Sequence, residues 1–318
     1  ILSWCSSRHN ADLSEATLIT TPGVVSGIGA VINALTDEND GILIMEPVYH
    51  PFRRMIEVNK RRTVVSELSL NDGYYTLNMK DIEEKIVNEA VKMVIFCTPA
   101  NPIGRVWTIQ ELKQVADVCQ KHGVILISDE IHMDFVFPQA KHHMLVTLNP
   151  AYRDFVITLI SASKTFNLAD THTSQLFVYN QTYVEKIEQI YARLGITRQS
   201  GFALEAQAAA YRNGHQYVDD VNAVILENKK IVETILEPTK IKITKSEGLY
   251  LLWLDFRAYK KDVNDIMDLL LNKAHVWLIN GEVFGKSGTG FFRMNIASDP
   301  MLVKEACTRM AAVFNNLI

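Results

Sequence analysis

The chain has little cysteine. Cys5, Cys97, Cys119 and Cys307 are scattered through 318 residues with no C-x-x-C pair. That excludes a disulfide framework and a cysteine-rich metal centre, and it points to a reducing compartment, read here as the cytoplasm. Basic excess is also missing. A formal net charge of -4 gives no electrostatic case for a nucleic-acid partner or an anionic membrane surface. No apolar run is longer than a strand, so no helical membrane span is expected. His142 and His143 adjoin, but no carboxylate or cysteine stands at ligand spacing from them. They are read as surface residues, and no metal is expected. Internal repeats and low-complexity segments are absent. The opening ILSWCSSRHN lacks the basic-then-apolar pattern of a signal peptide.

What remains is ordinary globular material, 48% hydrophobic and 21% charged, enough for a large core. Short β-branched runs alternate with amphipathic stretches, which predicts an α/β fold. A mainly parallel sheet with helices on both faces is expected, with the site at the carboxyl ends of its strands. Strands are expected at Thr17 to Thr21, Gly41 onward to Pro47, Thr63 to Leu70, Lys92 to Pro99, Val124 onward and Val156 to Ile160. Thr108 and Glu111 have the spacing of a capping box, and Leu112, Val115, Ala116 and Cys119 follow at helical period. One helical pattern fills Gly201 to Leu236, VWLI reads as a strand, and Asp299-Pro300 opens a last helix. Pro238 marks a boundary. The expected units are a leading segment 1–16, a large domain 17–236 and a smaller α/β C-terminal domain 237–318.

Three interruptions of this pattern bear on chemistry. Lys164 follows the run VITLI directly, behind Ser161 and Ser163. It is either an amine placed to form a Schiff base with an aldehyde cofactor, with hydroxyls nearby for a phosphate, or a lysine capping a strand at the surface. Asp129 ends another apolar run. A carboxylate at a neighbouring strand end could keep a pyridine nitrogen protonated, while the adjacent Glu130 is read as holding local backbone. Arg293 breaks the apolar run FFRMNIA and must meet an anion, either a structural Asp or Glu or a bound one. Ahead of these, a strand runs through Pro22 into a helix start. Such a start suits a phosphate, or is plain helix punctuation. Gly27 and Gly29 do not make a dinucleotide fingerprint, because Ile32 stands where the third glycine belongs.

TPANPIGRVW, SDEIH, SASKTFN and FFRMNIA occur in the order found in class I/II pyridoxal 5'-phosphate (PLP) dependent aminotransferases. Over nearly its whole length the chain resembles that family, most closely its MalY/PatB branch of cystathionine or cysteine-S-conjugate β-lyases. The resemblance implies a fold type I PLP-dependent transferase and a homodimer with sites at the subunit interface. It implies that Lys164 carries PLP and acts as base, and that Asp129 partners the ring nitrogen. Val24 and Val25 would hold the phosphate through their amides, aided by Ser161, Ser163 and His172. Tyr49 would lie over the ring, and Asn101 would bond its phenolic oxygen and the substrate carboxylate. Arg293 would clamp that carboxylate. His132 either meets the cofactor edge or is a packed, hydrogen-bonded histidine.

The family usually has a glycine and then a cation where this chain has Asp170 and His172. An aspartate there would repel a phosphate dianion, and it would strain the backbone if φ had to be positive. Chains of the family normally begin several dozen residues earlier, so an N-terminal truncation is expected. The activities implied are carbon-sulfur β-lysis of a small, sulfur-containing amino acid, transamination, or a binding role in an inactive homologue.

Overall fold

The computed structural model describes residues 1–196 and 199–317. Helix α1 (Leu2–His9) leads to strand β1 (Thr17–Thr21), helix α2 (Val24–Leu35) and strand β2 (Gly41–Glu46). Then come α3 (Pro51–Val58), β3 (Arg62–Glu67), the hairpin strands β4 (Ser69–Asn71) and β5 (Tyr74–Thr76), and α4 (Met79–Asn88). Strands β6 (Val91–Cys97), β7 (Ile125–Asp129) and β8 (Val156–Ile160) follow, with α5 (Ile109–Lys121) between the first two. The four-residue α6 (Ala162–Thr165) precedes β9 (Ser174–Val178). Helices α7 (Gln181–Arg193), α8 (Gly201–Asn213) and α9 (His215–Leu236) lead to β10 (Lys242–Ile243) and β11 (Leu251–Asp255). The chain ends with α10 (Val263–Asp268), β12 (Ile279–Asn280), β13 (Phe291–Asn295) and α11 (Pro300–Asn315).

Seven strands form one sheet in the order β1-β9-β8-β7-β6-β2-β3. All run parallel except β9, which is antiparallel to both neighbours. Alternation along β6 divides the core between the two faces. Val94 and Phe96 join the cluster around Leu112, Val115 and Phe177, while Met93, Ile95 and Cys97 join the cluster around Ile28, Ile32 and Ile187. Burial on both faces is why these strands read as continuous apolar runs. A second, antiparallel sheet, β10-β11-β13-β12, packs with α9 and α11 around a third cluster. The antiparallel course of β9 matters for function. It brings the start of that strand, not its end, to the edge where β1 and β8 finish: Ser174 pairs with Thr21, and Gln175 with Ile160.

Several expectations are corrected. The run Thr63 to Leu70 is not one strand. It breaks after Glu67, because Asp72 (φ 48°) and Gly73 (φ 74°) form a tight turn that folds Ser69–Asn71 onto Tyr74–Thr76. The helix expected over Gly201 to Leu236 breaks at Gly214. A Cβ there would lie 2.2 Å from the Phe166 ring, so glycine lets the lysine-bearing turn pack against the helix junction. VWLI contributes only Ile279 to a strand, since pairing with β13 starts at Arg293, and Trp277 is exposed. The capping box of Thr108 and Glu111 is formed on both sides.

The turn after β6 closes with Gly104 N donating to Ala100 O and Ala100 N donating to Arg105 O, both at 2.8 Å. Gly104 has φ 71°, and a Cβ on it would stand 2.5 Å from Ser246 Cβ and 2.9 Å from Gly248 O. Gly104→Ala is therefore expected to destabilise the chain by about 2–4 kcal/mol, combining left-handed strain with overpacking. A urea titration checks this; a midpoint unchanged from the parent would contradict the close approach.

Candidate active site

The parallel strands end along one edge, and the loops leaving them carry the chemistry. β7 ends on Asp129, β8 leads into α6 with Lys164, β6 leads to Asn101 and β2 to Tyr49. From the second sheet, Arg293 and Asn295 share one face of β13 by the two-residue period. Together with Pro22 to Ser26, they line a cleft of about 520 Å³. Val24, Val25, Tyr49, Asn101, Asp129, His132, Ser163, Lys164, His172 and Arg293 all border it.

Ser161 is not brought into the cleft. Its hydroxyl donates to Thr173 O at 2.7 Å and accepts from Ser163 N at 3.0 Å, capping α6. A hydroxyl committed twice inside the protein is not available to a phosphate. His142 also departs from expectation. It is buried, not a surface residue, with Nε2 2.8 Å from Glu130 Oε2. Glu130 does hold local backbone, accepting from Leu145 N at 3.1 Å, and also from Ser128 Oγ at 2.7 Å. A buried carboxylate needs such partners, and the sequence separation of twelve residues hid this one.

Arg293 has no carboxylate partner among the described residues. Its Nη1 donates to Asn101 Oδ1 at 3.1 Å, its Nε is buried without an acceptor, and its plane lies over the Phe284 ring. Burial therefore lowers its pKa. A structural Asp or Glu is thus ruled out for it. A guanidinium left this way is suited to an incoming carboxylate, which can take both hydrogen-bonding edges.

Burial also pushes the Asp129 carboxyl up to about 7, against a backbone N–H from Ile131 and the charge of Lys164. A bound pyridinium would reverse that shift by giving the carboxylate a cation. His132 is pushed down to about 3 by burial and the nearby Lys164 and Arg293 charges, so it is neutral. Its Nδ1 is buried without a partner, and its ring packs at 5.7 Å from that of Tyr250. Burial, with Asp129 nearby, raises the Tyr49 hydroxyl pKa.

At the far end, Gly23 caps α2 without a side-chain acceptor, and the first helical bond is Gly27 N to Gly23 O. The N–H groups of Val24 and Val25 therefore have no partner within the helix, which suits a phosphate. His172 (φ 45°) stands just before β9 and reaches the same edge, three-quarters exposed. Asp170 is fully exposed and has an ordinary φ, so the feared strain is absent there, and its carboxylate sits in solvent 3.9 Å from His172. Amides for a phosphate, an acid for a ring nitrogen, a lysine and an unpaired arginine in one cleft fit PLP and an amino-acid carboxylate.

Sequence reasoning missed Tyr250, Cys97, Ser26 and Asn295 as cleft residues. Asn295 could have been found from its spacing to Arg293. Tyr250 and Cys97 stand beside apolar runs and carry no such signal.

An acid whose folded pKa, about 7, lies above the ordinary 3.8 binds more protons folded than unfolded. Stability of the cofactor-free protein should then fall as pH rises between those values, by at most about 1.4 kcal/mol per pH unit from this group. Asp129→Asn is expected to lose that component. Urea midpoints of both proteins across this range check it, and parallel slopes would refute it.

The family model for aminotransferase class I and II matches residues 1–310. Cystathionine beta-lyase PatB of Bacillus subtilis is 31% identical over 317 residues, covering 99% of this chain and 82% of that protein. Protein MalY of Escherichia coli is 29% identical over 298 residues, 93% of this chain and 76% of its own length. Among solved structures, cystalysin from Treponema denticola, which contains a pyridoxal 5'-phosphate cofactor, matches with a TM-score of 0.96. It covers all of this chain and 81% of that one at 31% identity. The PLP-bound C-S lyase from Staphylococcus hominis matches with a TM-score of 0.92 at 28% identity, covering 98% of this chain and 82% of its own. With the cleft assembled as described and the match running through both sheets, the chain belongs to the class I and II aminotransferase family and has its fold type I architecture.

Proposed function

We propose that the chain is a PLP-dependent carbon-sulfur β-lyase that splits cystathionine, cysteine or a cysteine S-conjugate into a thiol, pyruvate and ammonia. The observation that carries an amino-acid reaction is Arg293, half-buried, without a carboxylate among the described residues and bonded to Asn101, in the same cleft as Lys164 and Asp129. The choice of lyase over transaminase rests on the likeness to PatB and to the two solved lyases. The scarcity of cysteine and the family resemblance support the further reading of a cytoplasmic homodimer.

The cleft lining supports a division of labour. Val24, Val25, Ser163 and His172 would hold the phosphate, Tyr49 and His132 would border the ring, and Asp129 would face its nitrogen. Bound PLP supplies an electron-withdrawing ring that stabilises negative charge at the substrate α-carbon. Arg293 and Asn101 bind the α-carboxylate and so fix the α-carbon near Lys164. The Lys164 amine takes the α-proton. The Cβ–S bond then breaks, sulfur leaves with the electron pair and a proton as a thiol, and the remaining three-carbon fragment hydrolyses to pyruvate and ammonia. The neutral, buried His132 adds no competing positive charge beside Lys164.

Pyruvate should be released from cystathionine without any keto-acid acceptor, and a strict requirement for an acceptor would instead make the protein a transaminase. Lys164→Ala is expected to lower turnover at least about 10²-fold, the scale of a missing general base. Arg293→Lys keeps the charge but not the two-edged contact, and should lower kcat/KM roughly 10- to 100-fold. Steady-state pyruvate assays on the PLP-loaded proteins measure all three.

A further inference from the structure

Lys164 sits on a helix of only four residues. A single turn has no stability of its own, so its geometry must come from tertiary anchors. On its upstream side the anchor is the Ser161 cap. On its downstream side, Thr165 Oγ1 donates to Asp134 Oδ2 at 2.7 Å, and both side chains are buried. Asp134 lies outside the cleft lining. Its other oxygen, Oδ1, accepts from His9 Nε2 at 2.8 Å and Trp4 Nε1 at 3.1 Å and lies 3.4 Å from Arg8 Nε. Burial alone would raise its pKa, but His9, Thr165 and Arg8 together hold it below the usual carboxylate range.

The two carboxylate oxygens therefore divide their work. Oδ1 gathers donors from α1, and Oδ2 is the acceptor for the lysine-bearing turn, with Trp4 Nε1, at 3.3 Å, its only other hydrogen-bond donor among the described residues. The next residue repeats the pattern: the Phe166 ring packs on Trp4 and Tyr211, with centroids 5.3 Å and 5.4 Å apart. Asn222 Nδ2 holds the Asp134 carbonyl at 2.8 Å, fixing the acceptor itself. Such a charged, buried acceptor gives a hydroxyl bond that is both strong and directional.

We propose that Asp134 is the positioning residue of Lys164, acting through the Thr165 hydroxyl to set the turn from which the lysine reaches the cofactor. The proposal rests on the reading of Lys164 as the PLP lysine. Asp134 touches neither cofactor nor substrate. Its role is to keep the amine at one height over the cleft, using α1 as the fixed base.

The test compares Thr165→Val, which keeps shape and removes the hydroxyl, with Thr165→Ser, which restores it, and with Asp134→Asn. Each purified chain is titrated with PLP. The visible band is recorded, the cofactor is fixed with borohydride, the Lys164 peptide is quantified, and a thermal melt is run. Thr165→Val should fold with a melt near that of the parent, yet need roughly tenfold more PLP for half-saturation and show a weakened or shifted visible band. Thr165→Ser should recover both. Asp134→Asn should show the same spectral change wherever it folds. Thr165→Val with the parent's band and PLP affinity overturns the proposal alone. Thr165→Ser as impaired as Thr165→Val also overturns it, since the hydroxyl would then not be the cause. A parent chain that fixes no PLP at Lys164 overturns the cofactor reading, and this inference with it.

Discussion

One buried guanidinium joins the two sheets. Arg105 is wholly enclosed, with Nε donating to Glu247 Oε2 at 2.8 Å and Nη2 donating to both Glu111 oxygens at 2.9 and 3.0 Å. Nη1 donates to Tyr75 O, and the guanidinium lies over the Tyr74 and Trp107 rings. Removing such a charge from water is tolerable only because each edge finds an acceptor. Those acceptors come from three places: helix α5, the β4–β5 hairpin, and Glu247 ahead of β11. Glu247 is itself tied down by Val106 N and the Tyr74 hydroxyl. The loop carrying Asn101 is thereby pinned against the second sheet, where Arg293 can reach it. Backbone bonds reinforce the join, with Glu247 N and Gly248 N both donating to Gly104 O at 2.8 and 3.1 Å.

The residues around the cleft show the opposite electrostatics. Arg105 has two carboxylates against it, whereas Arg293 has none among the described residues. Asp129 is buried with only a backbone N–H and a distant lysine, and His132 is held neutral with an idle ring nitrogen. These groups carry a desolvation cost that the folded chain alone does not offset. An anionic carboxylate on Arg293 and a cationic ring on Asp129 would relieve both at once. A ligand of the wrong sign at either place would add to the cost.

Legibility in the sequence followed range. Lys164, Asp129 and Arg293 were visible because each interrupts a strand-like run, a local and periodic signal. Val24 and Val25 were visible because a strand running into a helix start exposes amides wherever it occurs. The family resemblance then supplied roles for Tyr49 and Asn101 that no local pattern carries. What could not be read depended on partners distant in the chain. Ser161 looks like a phosphate ligand until Thr173, twelve residues on, claims its hydroxyl. His142 looks like a loop residue until Glu130 folds beneath it. The break at Gly214 makes sense only once Phe166 is seen against it.

His172 and Asp170 illustrate why a motif departure must be weighed in three dimensions. By sequence, an acid beside the phosphate-binding end is a liability. In the fold, β9 runs against its neighbours, so the segment ahead of it arrives at the phosphate end and then turns. At that turn the left-handed residue is His172, and it is the histidine that borders the cleft while Asp170 projects into water. The high dielectric of the water around the exposed aspartate weakens its repulsion of a bound phosphate. In the proposed complex the amides of Val24 and Val25, which have no partner within the helix, are phosphate donors that do not depend on a side-chain charge.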